Sequence, residues 1–321
     1  PKKVKEFLPD IVISFGGNIF AGIKEQFRKF AGEFEHWLVQ EDGRVVDLYK
    51  SITTIFECKP EYFFKYCVNV ADENQTNDCE YYQGLKKYVD SVIYPDFPYS
   101  HVYAIKEVVE KIPADSVLHL SINDSIRITN FFKLNPRIKT YANIGTHGID
   151  GCLSSFLGQA AAGNKQSYLV IGDLAFFYDM NAMRLRHIKN NVHILLINNE
   201  GGSEFYFNHM WKDEASDLHT TARHHTKAEG WVKSNNFIYL SAHDKESMQE
   251  ALKEFMRSDL EKPVFLEVFT EMKTDSDVIY DFFDLSRPKD VQSETIRKSK
   301  EFIKATIGQE KAQKIAGLFK K

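Results

Sequence analysis

One carboxylate and one carboxamide, 26 positions apart, are the residues of this sequence best suited by type and spacing to do chemistry. The apolar run 167–171 stops at Gly172-Asp173-Leu174, and the run 192–197 stops at Asn198-Asn199-Glu200-Gly201-Gly202. Short apolar runs closed by Gly, Asp and Asn read as buried strands. A parallel sheet of such strands binds ligands where the strands end. A right-handed crossover between the two would bring the Asp173 carboxylate and the Asn199 amide oxygen within reach of one point. Together with a backbone carbonyl near Gly201 they make a hard oxygen set suited to Mg²⁺, which usually keeps its remaining positions for phosphate and water. Gly201 and Gly202 let backbone approach a phosphate closely. A helix starting after Gly172-Asp173 would turn its N-terminus toward the same anion. Taken singly, each motif also fits a blander role, Asp173 as a helix N-cap and 198–202 as an ordinary loop.

The elements that must position these residues alternate along the chain. Residues 10–15 read as a strand stopped by Gly16-Gly17-Asn18, 20–30 as a helix with one apolar face, and 36–39 as a second strand. Pro60 is suited to the first position of a helix running through Phe64 and Cys67. Residues 71–80 are polar and unpatterned, so 71–96 is expected to connect two units, 1–70 and 97–270. In the second unit the pattern predicts helices over 101–112, 149–162 and 177–188. It predicts strands over 117–122, 138–142, 167–171, 192–197 and 264–269. This alternation predicts an α/β fold, a parallel sheet with helices on both faces. Residues 271–321 form a separate C-terminal segment, where 293–319 carries the pattern of a basic amphipathic helix, expected to be a surface or packing helix.

Composition narrows the function classes. The chain has 321 residues, a net charge of −4 and a 43% hydrophobic content, as expected of a folded chain with a substantial core. That charge balance argues against a nucleic-acid partner, and no apolar run approaches the ~20 residues of a membrane helix. Four irregularly spaced cysteines without a CxxC pair suggest free thiols in a cytoplasmic protein. His219, His224 and His225 lie close together, but no Cys or acidic residue joins them at a zinc spacing. No GxGxxG follows any predicted strand, which argues against a dehydrogenase.

A Gly-Asp at one strand end with Asn-Asn at another resembles the thiamine-diphosphate-binding motif. More specifically, three segments in order resemble the 2-succinyl-5-enolpyruvyl-6-hydroxy-3-cyclohexene-1-carboxylate synthase family of menaquinone biosynthesis. They are YANIGTHGIDG (141–151), GDLAFFYDMN (172–181) and INNEGG (197–202). PDIVISFGGN (9–18) and EDGRVVD (41–47) resemble that family's Rossmann-like middle domain.

The resemblance implies a thiamine diphosphate cofactor and Mg²⁺ (or Mn²⁺) held by Asp173, Asn199 and Gly201. Gly148, Ile149, Gly172, Leu174, Ala175 and Gly202 would border the cofactor, with Ile149 propping it in a bent form. Asn123, Arg127, His147 and Phe205 would contact substrate, a small-molecule 2-oxoacid and an acceptor. The reaction implied is decarboxylation followed by transfer of the acyl carbanion equivalent. The activating glutamate belongs to a pyrimidine-binding domain that nothing here matches, so the catalytic residue is not identified. With no initiator Met at Pro1, the expectation is a C-terminal portion, inactive alone. It would work with the pyrimidine-binding domain of a second subunit, in a homodimer or homotetramer. Two positions depart from the family: Ile144 stands where an arginine grips a substrate carboxylate, and Glu204 where an apolar residue meets substrate. They leave open a related thiamine-dependent decarboxylase or ligase with another substrate, for instance in a surface-sugar pathway. A non-catalytic cofactor-binding module also stays open.

Overall fold

The computed structural model describes residues 5–17, 19, 21–71, 79–145, 147–207 and 218–286. The amphipathic helix expected over 293–319 lies outside the described residues.

The first unit contains β1 (Ile11–Phe15), α1 (Ala21–Arg28), β2 (Glu35–Val39), β3 (Ile52–Phe56) and α2 (Pro60–Val70). Its three strands pair in parallel in the order β1-β2-β3. Pro60 opens α2, where its missing N–H costs no helical hydrogen bond. Helix α3 (Glu80–Asp90) follows, inside the stretch expected only to connect the two units. Its Tyr, Leu and Val residues stay largely exposed, so no buried face marked it in the sequence.

The second unit runs α4 (His101–Val109), β4 (Val117–Leu120), α5 (Asp124–Thr129), β5 (Lys139–Ala142), α6 (Cys152–Ala162), β6 (Ser167–Gly172) and α7 (Asp173–Asp179). It continues with β7 (Val192–Asn198), α8 (Ser203–Phe207), α9 (Glu229–Ser234), β8 (Ile238–Ala242), α10 (Lys245–Phe255), β9 (Val264–Phe269) and α11 (Met272–Ser286). All six strands are parallel, in the order β5-β4-β6-β7-β9-β8. Central strands β6 and β7 are buried on both faces, which explains why they read as unbroken apolar runs. On one face Val102, Ile105, Val108 and Val109 of α4 pack with Met248, Leu252 and Phe255 of α10 and with Val278, Ile279 and Phe282 of α11. On the other, Leu153, Phe156 and Leu157 of α6 pack with Phe176 of α7 and Val232 of α9. Each fully buried side chain of this size contributes roughly 1.5–3 kcal/mol of transfer free energy. The expected α/β fold with helices on both faces is the one observed.

Local caps match local sequence. Ser100 accepts the Tyr103 N–H at the start of α4, and Asp244 with Ser247 forms a capping box on α10. The helix expected over 177–188 is corrected. Helix α7 begins at Asp173, directly where β6 ends, and passes into a 3₁₀ turn over Met180–Arg184. Its buried residues Ala175, Phe176 and Met183 do not keep one continuous α-helical stripe, so the periodicity misplaced its start.

The strand order fixes where a ligand can sit. From β4 the chain moves outward to edge strand β5, and from β6 it moves the opposite way to β7. The loops leaving the carboxyl ends of neighbours β4 and β6 therefore diverge and leave a crevice between them, the switch-point geometry of open α/β sheets. No helix among the described residues is long and apolar enough to cross a membrane.

Candidate functional site

A cavity of about 340 Å³ lies at this switch point. It is bordered by Ser121–Asp124 after β4, Gly172–Ala175 after β6, and Asn199 with Gly201–Phe205 after β7. The β6–β7 register sets Gly172 opposite Ile197, so Asp173 and Asn199 emerge side by side.

Asp173 does not behave as a simple helix cap. Its side chain is almost wholly buried, and one oxygen accepts the N–H groups of Asn199 (3.1 Å) and Gly201 (3.0 Å). The other accepts from Leu174 N (2.6 Å). The carboxylate thus ties the loop after β7 to the end of β6. Gly201 has φ +151°, and a Cβ there would stand 2.7 Å from the Thr221 carbonyl oxygen, so this position requires glycine. Gly202 N donates to the same carbonyl at 2.7 Å, and His224 N donates to Glu200 O at 3.1 Å, lacing the loop to 221–224. His224 Nε2 also lies 3.3 Å from Asp173 Oδ2, without hydrogen-bond alignment. That carboxylate raises the imidazole's pKa, outweighing the opposing effect of burial. His225 faces Glu200 at 3.1 Å. Among the described residues no three His, Cys, Asp or Glu side chains form a metal-binding group.

Asn199 is held from behind by a residue the sequence did not single out. Asp275, wholly buried on α11, accepts Asn199 Nδ2 (2.9 Å), Thr270 Oγ1 (2.7 Å) and His101 N (2.8 Å). His101 Nδ1 lies 3.2 Å from Asp275 Oδ1, an ion-pair contact without good hydrogen-bond alignment. Burial alone would raise the Asp275 carboxyl, but His101, followed by Asn199, draws it below the usual carboxylate range. The complementary effect raises His101 against its own burial. Committing Nδ2 to Asp275 fixes which way the Asn199 amide faces and leaves Oδ1 for a ligand. Asp275 escaped the sequence reading because its contacts span 76 and 174 residues.

The other expected residues divide between two places. Ile149, Gly172, Leu174, Ala175, Gly202 and Phe205 line the first cavity. Arg127 and His147 line a second cavity of about 530 Å³, while Asn123 borders both. Asn123 has positive φ (61°) at the start of α5, an uncommon conformation for a non-glycine residue. Gly148 is half-buried in the turn between His147 and Ile149 and lines neither cavity. Arg127 Nη1 donates to Glu204 Oε1 at 2.5 Å, so one departure from the family pattern pairs with the retained arginine. The other, Ile144, lines the second cavity.

The donor chemistry fits a divalent cation. Asp173, the freed Asn199 oxygen and a nearby backbone carbonyl are all hard oxygens. Asp124, Asp173 and Glu204 border the first cavity, with Glu204 paired to Arg127 and His101 also in the lining, and a cation beside Asp173 would offset the charge that a diphosphate brings there.

A six-stranded parallel sheet with helices on both faces, its Gly-Asp and Asn-Asn strand ends locked together at a switch point, is an α/β fold of the thiamine-diphosphate-binding kind. The particular likeness is to 2-succinyl-5-enolpyruvyl-6-hydroxy-3-cyclohexene-1-carboxylate synthase. The chain is 33% identical over 288 residues to that enzyme from Phocaeicola vulgatus, covering 88% of this chain and 51% of the relative. It is 35% identical over 286 residues to the Bacteroides fragilis enzyme, with the same coverage. The Bacteroides thetaiotaomicron enzyme is 34% identical over 284 residues, again covering 88% and 51%. The chain therefore spans about half the length of the curated relatives it matches. No family model matches it. The resemblance read from the motifs thus extends over most of the chain.

Proposed function

We propose that this chain holds the diphosphate and metal of a thiamine-diphosphate-dependent transferase. The reaction is 2-oxoacid decarboxylation and transfer of the acyl carbanion equivalent to an acceptor, as in the synthases it resembles. The observation that carries this reading is the Asp173 carboxylate clasping the Asn199 and Gly201 N–H groups at the switch-point cavity. Asp173, Asn199 and the carbonyl of Gly201 hold Mg²⁺ (or Mn²⁺), with the Asn199 amide kept in orientation by Asp275. Gly172 and Gly202 leave room for the diphosphate, while Ile149, Leu174 and Ala175 give the cofactor an apolar wall. Gly148 contributes backbone beside it. Bound thiamine diphosphate supplies the nucleophilic carbon and the electron sink. Asn123, Arg127, His147 and Phe205 face the substrates. The reading includes an activating glutamate from the pyrimidine-binding domain of a second subunit, in a homodimer or homotetramer. Four free cysteines support a reducing, cytoplasmic setting.

Calorimetric titration of the full-length protein with thiamine diphosphate and Mg²⁺ tests this. Asp173→Ala should weaken cofactor binding at least ~100-fold, since it removes a metal ligand and three hydrogen bonds that shape the loop. Equal binding by wild type and variant would overturn the assignment. The Arg127–Glu204 pair favours a second reading of the substrates, in which the same chemistry acts on a donor or acceptor other than that of the relatives. Comparing CO₂ release from a dicarboxylic and a monocarboxylic 2-oxoacid separates the two.

A further inference from the structure

A buried imidazole stands between the segment after β4 and the support of the metal loop. His101, at the start of α4 and 1% exposed, borders the first cavity. Its Nδ1 lies 3.2 Å from Asp275 Oδ1 and its Nε2 3.9 Å from Asp124 Oδ2, neither aligned for a hydrogen bond. A neutral ring has one bare nitrogen, whose lone pair would face a carboxylate oxygen. The placement between two carboxylates therefore calls for a proton on both nitrogens and a positive charge. Asp275 carries the contact on to Asn199 Nδ2 at 2.9 Å. Asp124 Oδ2 carries it the other way, accepting Ser203 Oγ at 2.6 Å. Asn199 and Ser203 stand four positions apart, directly after β7. The contacts thus close into a ring that runs Asn199, Asp275, His101, Asp124, Ser203 and returns along the main chain.

We propose that His101 is a positioning residue of the metal site, the cation through which Asp124 at the start of α5 acts on the orientation of the Asn199 amide. The inference rests on the function proposed above. Asp275 is wholly buried, so taking the cation away leaves its carboxylate without a counter-charge, the costly way to break a buried pair. That carboxylate finds relief only by shifting toward water, and the Asn199 Nδ2 it holds shifts with it. Asp124 keeps His101 in place from the opposite side of the ring, with its own side chain 17% exposed. It also borders the cavity that would take the diphosphate, where its direct effect has the opposite sign. Removing a carboxylate beside an anion site should tighten the anion, whereas loosening His101 should weaken it. The sign of the change therefore separates the two roles.

Calorimetric titration of the full-length protein with thiamine diphosphate and Mg²⁺, at one neutral pH, reads that sign. His101→Gln, of similar reach but uncharged, should weaken cofactor binding at least ~10-fold. Asp124→Asn should weaken it at least ~5-fold, against its direct effect. In the His101→Gln background the same change should lose that cost, leaving affinity within ~2-fold or tighter. With Mn²⁺ in place of Mg²⁺, electron paramagnetic resonance reads the symmetry of the metal's ligands, which lost stability alone does not move. His101→Gln and Asp275→Asn should alter that spectrum in the same way, because both release the Asn199 amide. Tighter or unchanged binding by Asp124→Asn, an equal cost in both backgrounds, or a wild-type Mn²⁺ spectrum in His101→Gln would each overturn the proposal. Should His101→Gln fail to fold, the sign of the Asp124→Asn effect and the Mn²⁺ spectrum of that variant decide. Wild type that binds cofactor while Asp124→Asn binds it equally well loses only this inference, whereas wild type that binds no cofactor loses the proposed function too.

Discussion

Replacing Asp275 by Asn probes the support behind the site without touching the site itself. The carboxylate is wholly buried and accepts three hydrogen bonds, from Asn199 Nδ2, Thr270 Oγ1 and His101 N, while offsetting the charge of His101 at 3.2 Å. Asparagine keeps the shape but offers one acceptor oxygen, and its NH₂ must face groups that are themselves donors. Removing one partner of a buried ion pair costs about 3–5 kcal/mol. That range already includes the lost charge-assisted hydrogen bonds, so the two are not summed. The Asn199 amide, no longer committed through Nδ2, can turn its own NH₂ toward the cation, and lost outer partners of metal ligands typically weaken affinity 10–100-fold. Urea unfolding of the full-length protein, with calorimetric titration by Mg²⁺ and thiamine diphosphate, reads both effects. Thr270→Val is the control: it removes one donor to Asp275, should cost about 1 kcal/mol, and should leave cofactor affinity within ~3-fold. Asp275→Asn losing less than about 1 kcal/mol with unchanged cofactor affinity would refute the assigned role.

Two further predictions concern backbone and pH. Gly201→Ala must move the loop, since its Cβ meets backbone rather than a flexible side chain. Cofactor affinity should fall at least ~10-fold, with a stability loss of about 1–3 kcal/mol, and native-like values in titration and melting would contradict the geometry. Burial among Tyr168, Phe255 and the sheet pushes His193 down to about 4. The folded state therefore binds fewer protons than the unfolded state between pH 6.5 and 4. His193 costs nothing above that window, and stability should fall by about 3 kcal/mol as the pH drops through it. Unfolding free energies measured from pH 7 to 4 should show this slope in wild type and lose it in a folded His193→Gln, and an identical slope in both would count against the assignment.

The parts of the fold and site legible in the sequence were those written locally. β6 and β7 announced themselves as apolar runs ended by Gly-Asp and Asn-Asn, and the central parallel sheet followed from them. β3 and β8 were not read, because ITTIF and IYLSA sit beside polar stretches and are only half-buried at most positions. Helix α5 was missed because six residues are too short to show a period. Asp275 and Glu267 lay beyond local reading altogether. Glu267 occupies an apolar strand yet is wholly buried, bonded to Asn198, Ala228 and Tyr239 from distant parts of the chain. The Arg127–Glu204 pair, 77 residues apart, is of the same kind. Both residues were noticed singly, and only the fold could show that they meet.

The three loops around the switch point are not equally tied down. Those after β6 and β7 are joined main chain to side chain through Asp173, so neither can shift without the other. The stretch after β4 meets the one after β7 side chain to side chain, where Asp124 accepts Ser203 Oγ, and the turn carrying Ile144 and His147 borders the second cavity. A lineage descending from this scaffold can therefore exchange Ile144, His147 or Ile126 one at a time while the clasp stays shut. The molecule divides its inheritance in two: a half that must be copied together, and a half in which each residue is free to be tried alone.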